Sequence, residues 1–321
     1  MARGLPGSRG AVAWPPGDHV GGHDVRADPV SPETELALQQ AGLDAAYVQD
    51  VVARAVAEDL DGGVDVTSVA TVPADLLGVA AFVPRQAGTV AGTAVAMAVL
   101  DHVVAGVEHR IVGRDGVPAV VGQAVLEAYG PVRQLLTAER TALNLLCHLS
   151  GVATVTRRWV DAVEGTGARI RDTRKTTPGL RVLEKHAVRA GGGTNHRMSL
   201  SDAALVKDNH VVAAGGVRQA FEAVRRTFPG LAVEVECDTV AQVREVLDAG
   251  ADLVLLDNMS LEQLAECVAL CRDRGVMTEA SGGLTVDDAR AVAGTGVDFL
   301  AIGALTHSAP VLDVGVDLRT V

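Results

Sequence analysis

Residues 232–303 read AVEVECDTVAQVREVLDAGADLVLLDNMSLEQLAECVALCRDRGVMTEASGGLTVDDARAVAGTGVDFLAIG. Four short apolar runs stand out: Ala232–Cys237, Leu253–Asp257, Val276–Ala280 and Phe299–Ile302. Amphipathic stretches at 239–249, 260–274 and 285–294 separate them, and the repeat of roughly 22 residues is that of a βα unit. Gly250 and Gly275 stand where helix C-caps belong. The runs are continuously apolar, as parallel strands buried on both faces require. The pattern extends upstream to strand candidates Ala204–Lys207 and Ala168–Asp172, with a helix predicted over 211–227. No G-x-G-x-x-G or P-loop opens any of these helices, so a parallel barrel is favoured over a doubly wound sheet.

Farther upstream the organisation changes. Residues 137–163 carry Leu143, Leu146, Leu149 and Val152 at helical spacing. Residues 77–130 alternate short apolar runs with glycines, as strands with one connecting helix at 93–104. A helix starting near Ser31 or Thr34 carries an apolar stripe through Leu38, Leu43, Val48, Val52 and Val56, and 60–66 form an acidic turn. The fold class expected is α/β: an open α/β sandwich over 32–147, with a C-terminal tail (305–321) packing on it, and an incomplete (β/α) barrel over 148–304. Residues 1–31, rich in Gly and Pro, are expected to be a disordered leader.

The 321 residues suit two domains, and 48% hydrophobic against 21% charged residues marks a globular chain. Two Trp, two Tyr and four Phe are too few for base-stacking platforms, and a net charge of −12 opposes a general polyanion surface, so no nucleic-acid partner is expected. The longest apolar run, Val90 to Leu100, ends at Asp101 and His102, too short for a bilayer. Without an apolar signal core, and with Cys147, Cys237, Cys267 and Cys271 at no disulfide or zinc spacing, a cytoplasmic location is expected. Of the 28 basic residues only three are lysines, Lys175, Lys185 and Lys207. The window 169–210 holds nine basic and four acidic residues, a net +5 that leaves −17 for the rest. Such a segment fits a pocket for a small polyanion, although alone it would equally describe a solvated helix face.

Reactive groups of a barrel gather at the C-terminal ends of its strands. Here those ends read Asp172–Thr177, Lys207–His210, Glu236, Asp257–Asn258, Ser281–Gly283 and Gly303, with a glycine-rich loop, Gly191–Arg197, before the Lys207 strand. Arg174, Lys175, Arg197, Lys207 and His196 are suited to carboxylates or phosphates. Glu236 and Asp257, one strand apart, could share hydrated Mg²⁺ or hold sugar hydroxyls. Ser281, Gly282, Gly283 and Gly303 let main-chain N–H groups approach a terminal phosphate. A single acid at a strand end is as often a helix cap, and a lone Gly-Gly is usually a turn. Recurrence at consecutive ends favours a site.

Five stretches together resemble the quinolinate phosphoribosyltransferase family: Glu139–Thr154 (ERTALNLLCHLSGVAT), Asp172–His210 (DTRKTTPGLRVLEKHAVRAGGGTNHRMSLSDAALVKDNH), Val233–Cys237 (VEVEC), Leu253–Asn258 (LVLLDN) and Glu279–Gly283 (EASGG). The resemblance runs from about residue 35 to 321; Ala190 and Ser199 depart from the family's usual residues. It implies an enzyme that joins quinolinate to phosphoribosyl pyrophosphate with loss of CO₂, using Mg²⁺, in a homodimer with shared active sites. It further implies that Arg174, His196, Arg197 and Lys207 hold quinolinate, with Arg140 reaching in from the partner subunit. Lys175 would contact phosphoribosyl pyrophosphate, Glu236 and Asp257 would flank ribose and metal, and Ser281, Gly282, Gly283 and Gly303 would take the 5′-phosphate. Two other readings stay open: a related phosphoribosyltransferase with another acceptor, and a non-catalytic sensor of pyridine carboxylates. Lys175, Glu236 and Asp257 speak against the sensor.

Overall fold

The computed structural model describes residues 30–321; the expected leader, but for its last two residues, lies outside the described residues. The N-terminal part contains α1 (Pro32–Ala41), α2 (Ala45–Leu60), α3 (Val66–Thr71), β1 (Leu77–Pro84), β2 (Gly88–Thr89), α4 (Thr93–Val103), β3 (Glu108–Ile111), β4 (Pro118–Ala119), β5 (Leu126–Pro131) and α5 (Val132–Ala162). Ser31 caps α1 through its hydroxyl, which accepts from the Thr34 N–H at 3.2 Å, and Pro32 supplies the first helical residue. The apolar stripe expected to run as one helix is two: Gly42 closes α1 and the Asp44 carboxylate caps α2. The acidic turn at 60–66 likewise ends as a cap, Asp65 accepting from the N–H groups of Thr67 and Ser68.

The second part contains β6 (Arg169–Arg171), α6 (Arg181–Ala190), β7 (Ala204–Val206), α7 (Asp208–Ala214), α8 (Val217–Thr227), β8 (Val233–Cys237), α9 (Val240–Asp248), β9 (Leu253–Asp257), α10 (Leu261–Arg272), β10 (Met277–Ser281), α11 (Val286–Gly294), β11 (Phe299–Ala301), α12 (Ala304–His307) and β12 (Val314–Thr320). The helix predicted over 211–227 is α7 and α8, broken at Gly215, whose φ of +82° no β-branched residue would adopt.

β6 to β11 form one parallel sheet in the order β6-β11-β10-β9-β8-β7. β6 and β7 do not pair, so the barrel is incomplete. Thr194 of the glycine-rich loop covers the free side of β6 by a parallel bridge to Arg171, its N–H reaching the Ile170 carbonyl at 2.8 Å. The other main sheet is antiparallel, ordered β12-β1-β5-β3, with β12 pairing along β1 from Gly78↔Thr320 to Pro84↔Val314. α5 starts directly after β5, five residues before the stretch its leucine pattern marks, and continues through the expected boundary at 147/148. One continuous apolar core reaches from Leu38 through Leu146 and Leu149 of α5 to Val254, Leu300 and Val314. No helix among the described residues is long and apolar enough to cross a membrane.

Gly151 marks where α5 meets the segment leading to β12. A Cβ there would overlap the Pro310 carbonyl oxygen and lie 2.9 Å from the Val311 Cα, both main-chain atoms that cannot turn aside. Gly151→Ala therefore loses about 1–3 kcal/mol of stability to overpacking despite the better helix propensity of alanine. Thermal or urea unfolding checks this; an unchanged or raised stability contradicts the close crossing.

Candidate functional site

A buried ion pair builds the floor of the barrel mouth. Asp172, just past β6, and Lys185 on α6 are both fully buried and bonded to each other. Asp172 also accepts the His196 N–H at 2.8 Å and the Asn195 amide at 2.6 Å, while Lys185 Nζ donates to the His196 carbonyl at 2.9 Å. Burial pushes the Asp172 carboxyl up and the Lys185 ammonium down, and their mutual attraction opposes both shifts. The pair ties the loop after β6 to the loop 194–197. Arg181 adds a second tie, donating to Thr176 Oγ1 and to the Met198 carbonyl, each at 3.0 Å. Buried Glu184 adds a third, accepting from the Thr177 N–H at 3.0 Å and bonding His148 of α5 at 2.8 Å.

Those loops carry the cations. Arg174 and Arg197 are neighbours: burial, with the Arg174 charge beside it, pushes the Arg197 guanidinium down. Arg197 Nη1 donates to the Ala203 carbonyl at 2.9 Å. Arg174 Nε is buried with no hydrogen-bond partner, an orphaned donor of the kind a bound anion satisfies. Lys207, at the end of β7, reaches Glu236 Oε2 at 2.8 Å at the end of β8. Lys175 lies against the opposite side of the mouth, its Cδ 3.0 Å from where a Cβ on Gly303 would stand, with its carbonyl accepting from Thr306 Oγ1 at 2.8 Å.

Sheet register sets the acids and the small residues. Glu236 pairs with Leu255, so Asp257, two residues along β9, faces the same side one step nearer the rim, and it pairs with Ser281. Asn258 follows with a φ of +53°, donates its N–H to the Ser281 carbonyl at 3.0 Å and its amide to Asp257 Oδ2 at 2.6 Å. Gly282 packs so closely on Asn258 that a Cβ would stand 2.7 Å from its main-chain N, which only glycine permits. Gly283 is exposed and Gly303 half-buried. Lys207 occupies Glu236 Oε2 and Asn258 occupies Asp257 Oδ2; the other oxygen of each acid has no hydrogen-bond partner among the described residues. Two hard-oxygen donors on adjacent strands fit Mg²⁺ that shares its remaining positions with water and phosphates. Eleven of the twelve expected residues thus gather at the strand ends. Arg140 does not: it is exposed on α5 and bonds to none of them.

The sequence reading missed a charged layer one step deeper. Arg171, Glu234 and Glu279 point into the barrel from β6, β8 and β10. Arg171 Nη1 donates to Glu279 Oε2 at 2.6 Å and stacks over Phe299 at 4.3 Å. His196 Nε2 lies 2.6 Å from Glu234 Oε2 and 3.6 Å from Glu279 Oε1. His196, Glu234 and Glu279 are close enough together to share an ion, but the Arg171 guanidinium already supplies the positive charge. The signal lay in VEVEC, where Glu234 and Glu236 recur at the two-residue period of one strand face, and in TEAS, where Glu279 stands two residues before Ser281 on the same face.

Burial, with the Glu234 charge beside it, pushes Glu279 up to about 7. A carboxyl raised above its unfolded value contributes stability in acid that is lost as pH rises through the folded value. Going from about pH 5 to about pH 8, wild type therefore loses stability relative to Glu279→Gln, whose amide does not titrate. Urea unfolding of both proteins at the two pH values checks this; parallel curves contradict it.

Two family models match the chain: Quinolinate phosphoribosyl transferase, N-terminal domain, over residues 65–150, and Quinolinate phosphoribosyl transferase, C-terminal domain, over residues 152–317. A nicotinate-nucleotide pyrophosphorylase [carboxylating] of Mycobacterium leprae is 50% identical over 285 residues, covering 88% of this chain and all of the relative. A probable enzyme of the same name from Bacillus subtilis is 41% identical over 243 residues, covering 74% of this chain and 83% of its own length. The crystal structure of NadC from Streptococcus pyogenes superimposes with a TM-score of 0.83 at 38% identity, covering 87% of this chain and 99% of that one.

Proposed function

The chain belongs to the quinolinate phosphoribosyltransferase family, and from that premise we propose how its barrel mouth divides the family reaction among its residues. The chain is a pentosyltransferase of NAD biosynthesis. It transfers phosphoribosyl from phosphoribosyl pyrophosphate to quinolinate, releasing pyrophosphate and CO₂ and giving nicotinate mononucleotide.

Arg174, Arg197 and Lys207 hold the two carboxylates of quinolinate, with Arg140 of a second copy closing the clamp in a homodimer. His196 lies beneath this arm, its ring bonded to Glu234 and to the Arg197 N–H rather than facing the substrate. Lys175, on the far side beside Gly303, takes the pyrophosphate end of the donor. Ser281, Gly282, Gly283 and Gly303 leave room for the 5′-phosphate. Glu236 and Asp257 flank the ribose and would hold Mg²⁺, whose chemistry there is to neutralise charge on the pyrophosphate. As the ring nitrogen attacks the anomeric carbon, positive charge develops on the sugar, and the same two acids stabilise it. Ribosylation leaves the nitrogen cationic, so as CO₂ departs the C–C bonding pair stays on the adjacent ring carbon as an ylide, which then takes a proton from water to give nicotinate mononucleotide. The protein contributes position and desolvation to that step. Four free cysteines, three of them buried, agree with a reducing cytoplasm.

The observation that carries this reading is the meeting of three cations from separate loops beside two carboxylates, with the Arg174 Nε buried and unpartnered. The direct test incubates the protein with quinolinate, phosphoribosyl pyrophosphate and Mg²⁺, following nicotinate mononucleotide by mass and CO₂ release. Absence of CO₂ would assign another acceptor. Arg174→Ala and Arg197→Ala each remove a charge-assisted bond worth about 1.5–3 kcal/mol, a loss of about 10- to 100-fold in quinolinate affinity. Unchanged affinity in both removes the clamp. Mixing Arg140→Ala chains with Lys207→Ala chains restores activity if the site is shared; mixed dimers that stay inactive count against Arg140 acting across subunits.

A further inference from the structure

The ring of His196 is fully committed inside the protein. Its Nδ1 accepts the Arg197 N–H at 2.7 Å. A nitrogen that accepts carries no hydrogen, so Nε2 bears it and donates to Glu234 Oε2 at 2.6 Å. The ring therefore has no donor left for a substrate carboxylate. Glu234 is 4% exposed and its Oε1 is buried without a partner, while Glu279, the acid beside it, is bonded to Arg171. Burying two acids side by side is unfavourable, and apolar side chains at these strand positions would cost less. Among the described residues the Glu234 side chain makes one hydrogen bond, to His196.

We propose that Glu234 is a positioning residue of the quinolinate clamp: through the His196 ring it fixes the main chain at Arg197. The chain of contacts is short. Glu234 sets the ring, the ring sets the Arg197 N–H, and the Ala203 carbonyl holds one guanidinium nitrogen at 2.9 Å. With backbone and one nitrogen held, the remaining guanidinium donors point in one direction, so less freedom is lost when an anion binds. This rests on the clamp reading above.

The test compares Glu234→Leu with Glu234→Gln, whose amide oxygen can still accept from Nε2–H. Leu is expected to raise KM for quinolinate tenfold or more and to leave KM for phosphoribosyl pyrophosphate within twofold; Gln is expected to bring the quinolinate value back to within threefold of wild type. Gln as impaired as Leu, both KM values rising together, or no effect of Leu overturns the role. Arg197→Ala is the reference. If it leaves quinolinate KM unchanged, the clamp reading itself fails; if it raises that KM while Glu234→Leu does not, only the positioning role fails. Should Glu234→Leu not fold, ¹⁵N-histidine NMR of the wild-type protein decides, with the His196 signals assigned by their loss in His196→Asn. A hydrogen-free Nδ1 and a protonated Nε2 at neutral pH support the role, and an imidazolium or the opposite tautomer overturns it.

Discussion

The Asp172–Lys185 pair is where the rest of the mouth is anchored. A buried ion pair contributes little net stability compared with apolar residues of the same shape, but breaking one half of it costs about 3–5 kcal/mol. Its value here is geometric. It joins a strand end, a helix and the 194–197 loop at one point, and Asn195 and the His196 main chain make three further bonds to it. The Arg174 and Arg197 side chains emerge directly after these fixed points. Without the pair, two mutually repelling guanidinium groups would depend on the lesser ties through Arg181 and Glu184 alone.

An acidic protein can bind anions because its charge is arranged by depth. The outer ends of the strands set cations beside acids: Lys207 follows β7, Glu236 ends β8 and Asp257 ends β9, with Lys175 after β6. Beneath them, Arg171, Glu234, Glu279 and His196 form a nearly self-contained layer joined by bonds of 2.6 Å and stacked on Phe299. Low local dielectric strengthens each of these contacts and makes each unpartnered oxygen costly. The rim is thus left with positive charge directed outward, although the chain as a whole carries −12.

Much of this was legible from residue patterns, because parallel strands buried on both faces write themselves as apolar runs and the acids that end them are visible. Asp257, Glu236 and Lys207 could be placed at strand ends by counting. Three things could not be. The helix breaks at Gly42 and Gly215 lie inside stripes whose periodicity continues across them, so the pattern hides the turn. The start of α5 at Val132 is masked because β5 runs straight into it at Pro131 with no capping side chain to mark the change. The deeper layer escaped notice because a charged residue on a buried strand face violates the rule used to find the strand, and only its two-residue recurrence gave it away. Arg140 shows a further limit: an exposed helical residue that bonds to none of the strand-end residues gives no local sign of a role.

The pairing of β12 with β1 joins the first and last strands among the described residues, with Thr320 beside Gly78. During synthesis the entire barrel is made before that partner exists, so β1 presents one row of open N–H and C=O groups until β12 follows. Sheet completion in this protein is consequently a late event of very long sequence separation, closing the molecule like a clasp.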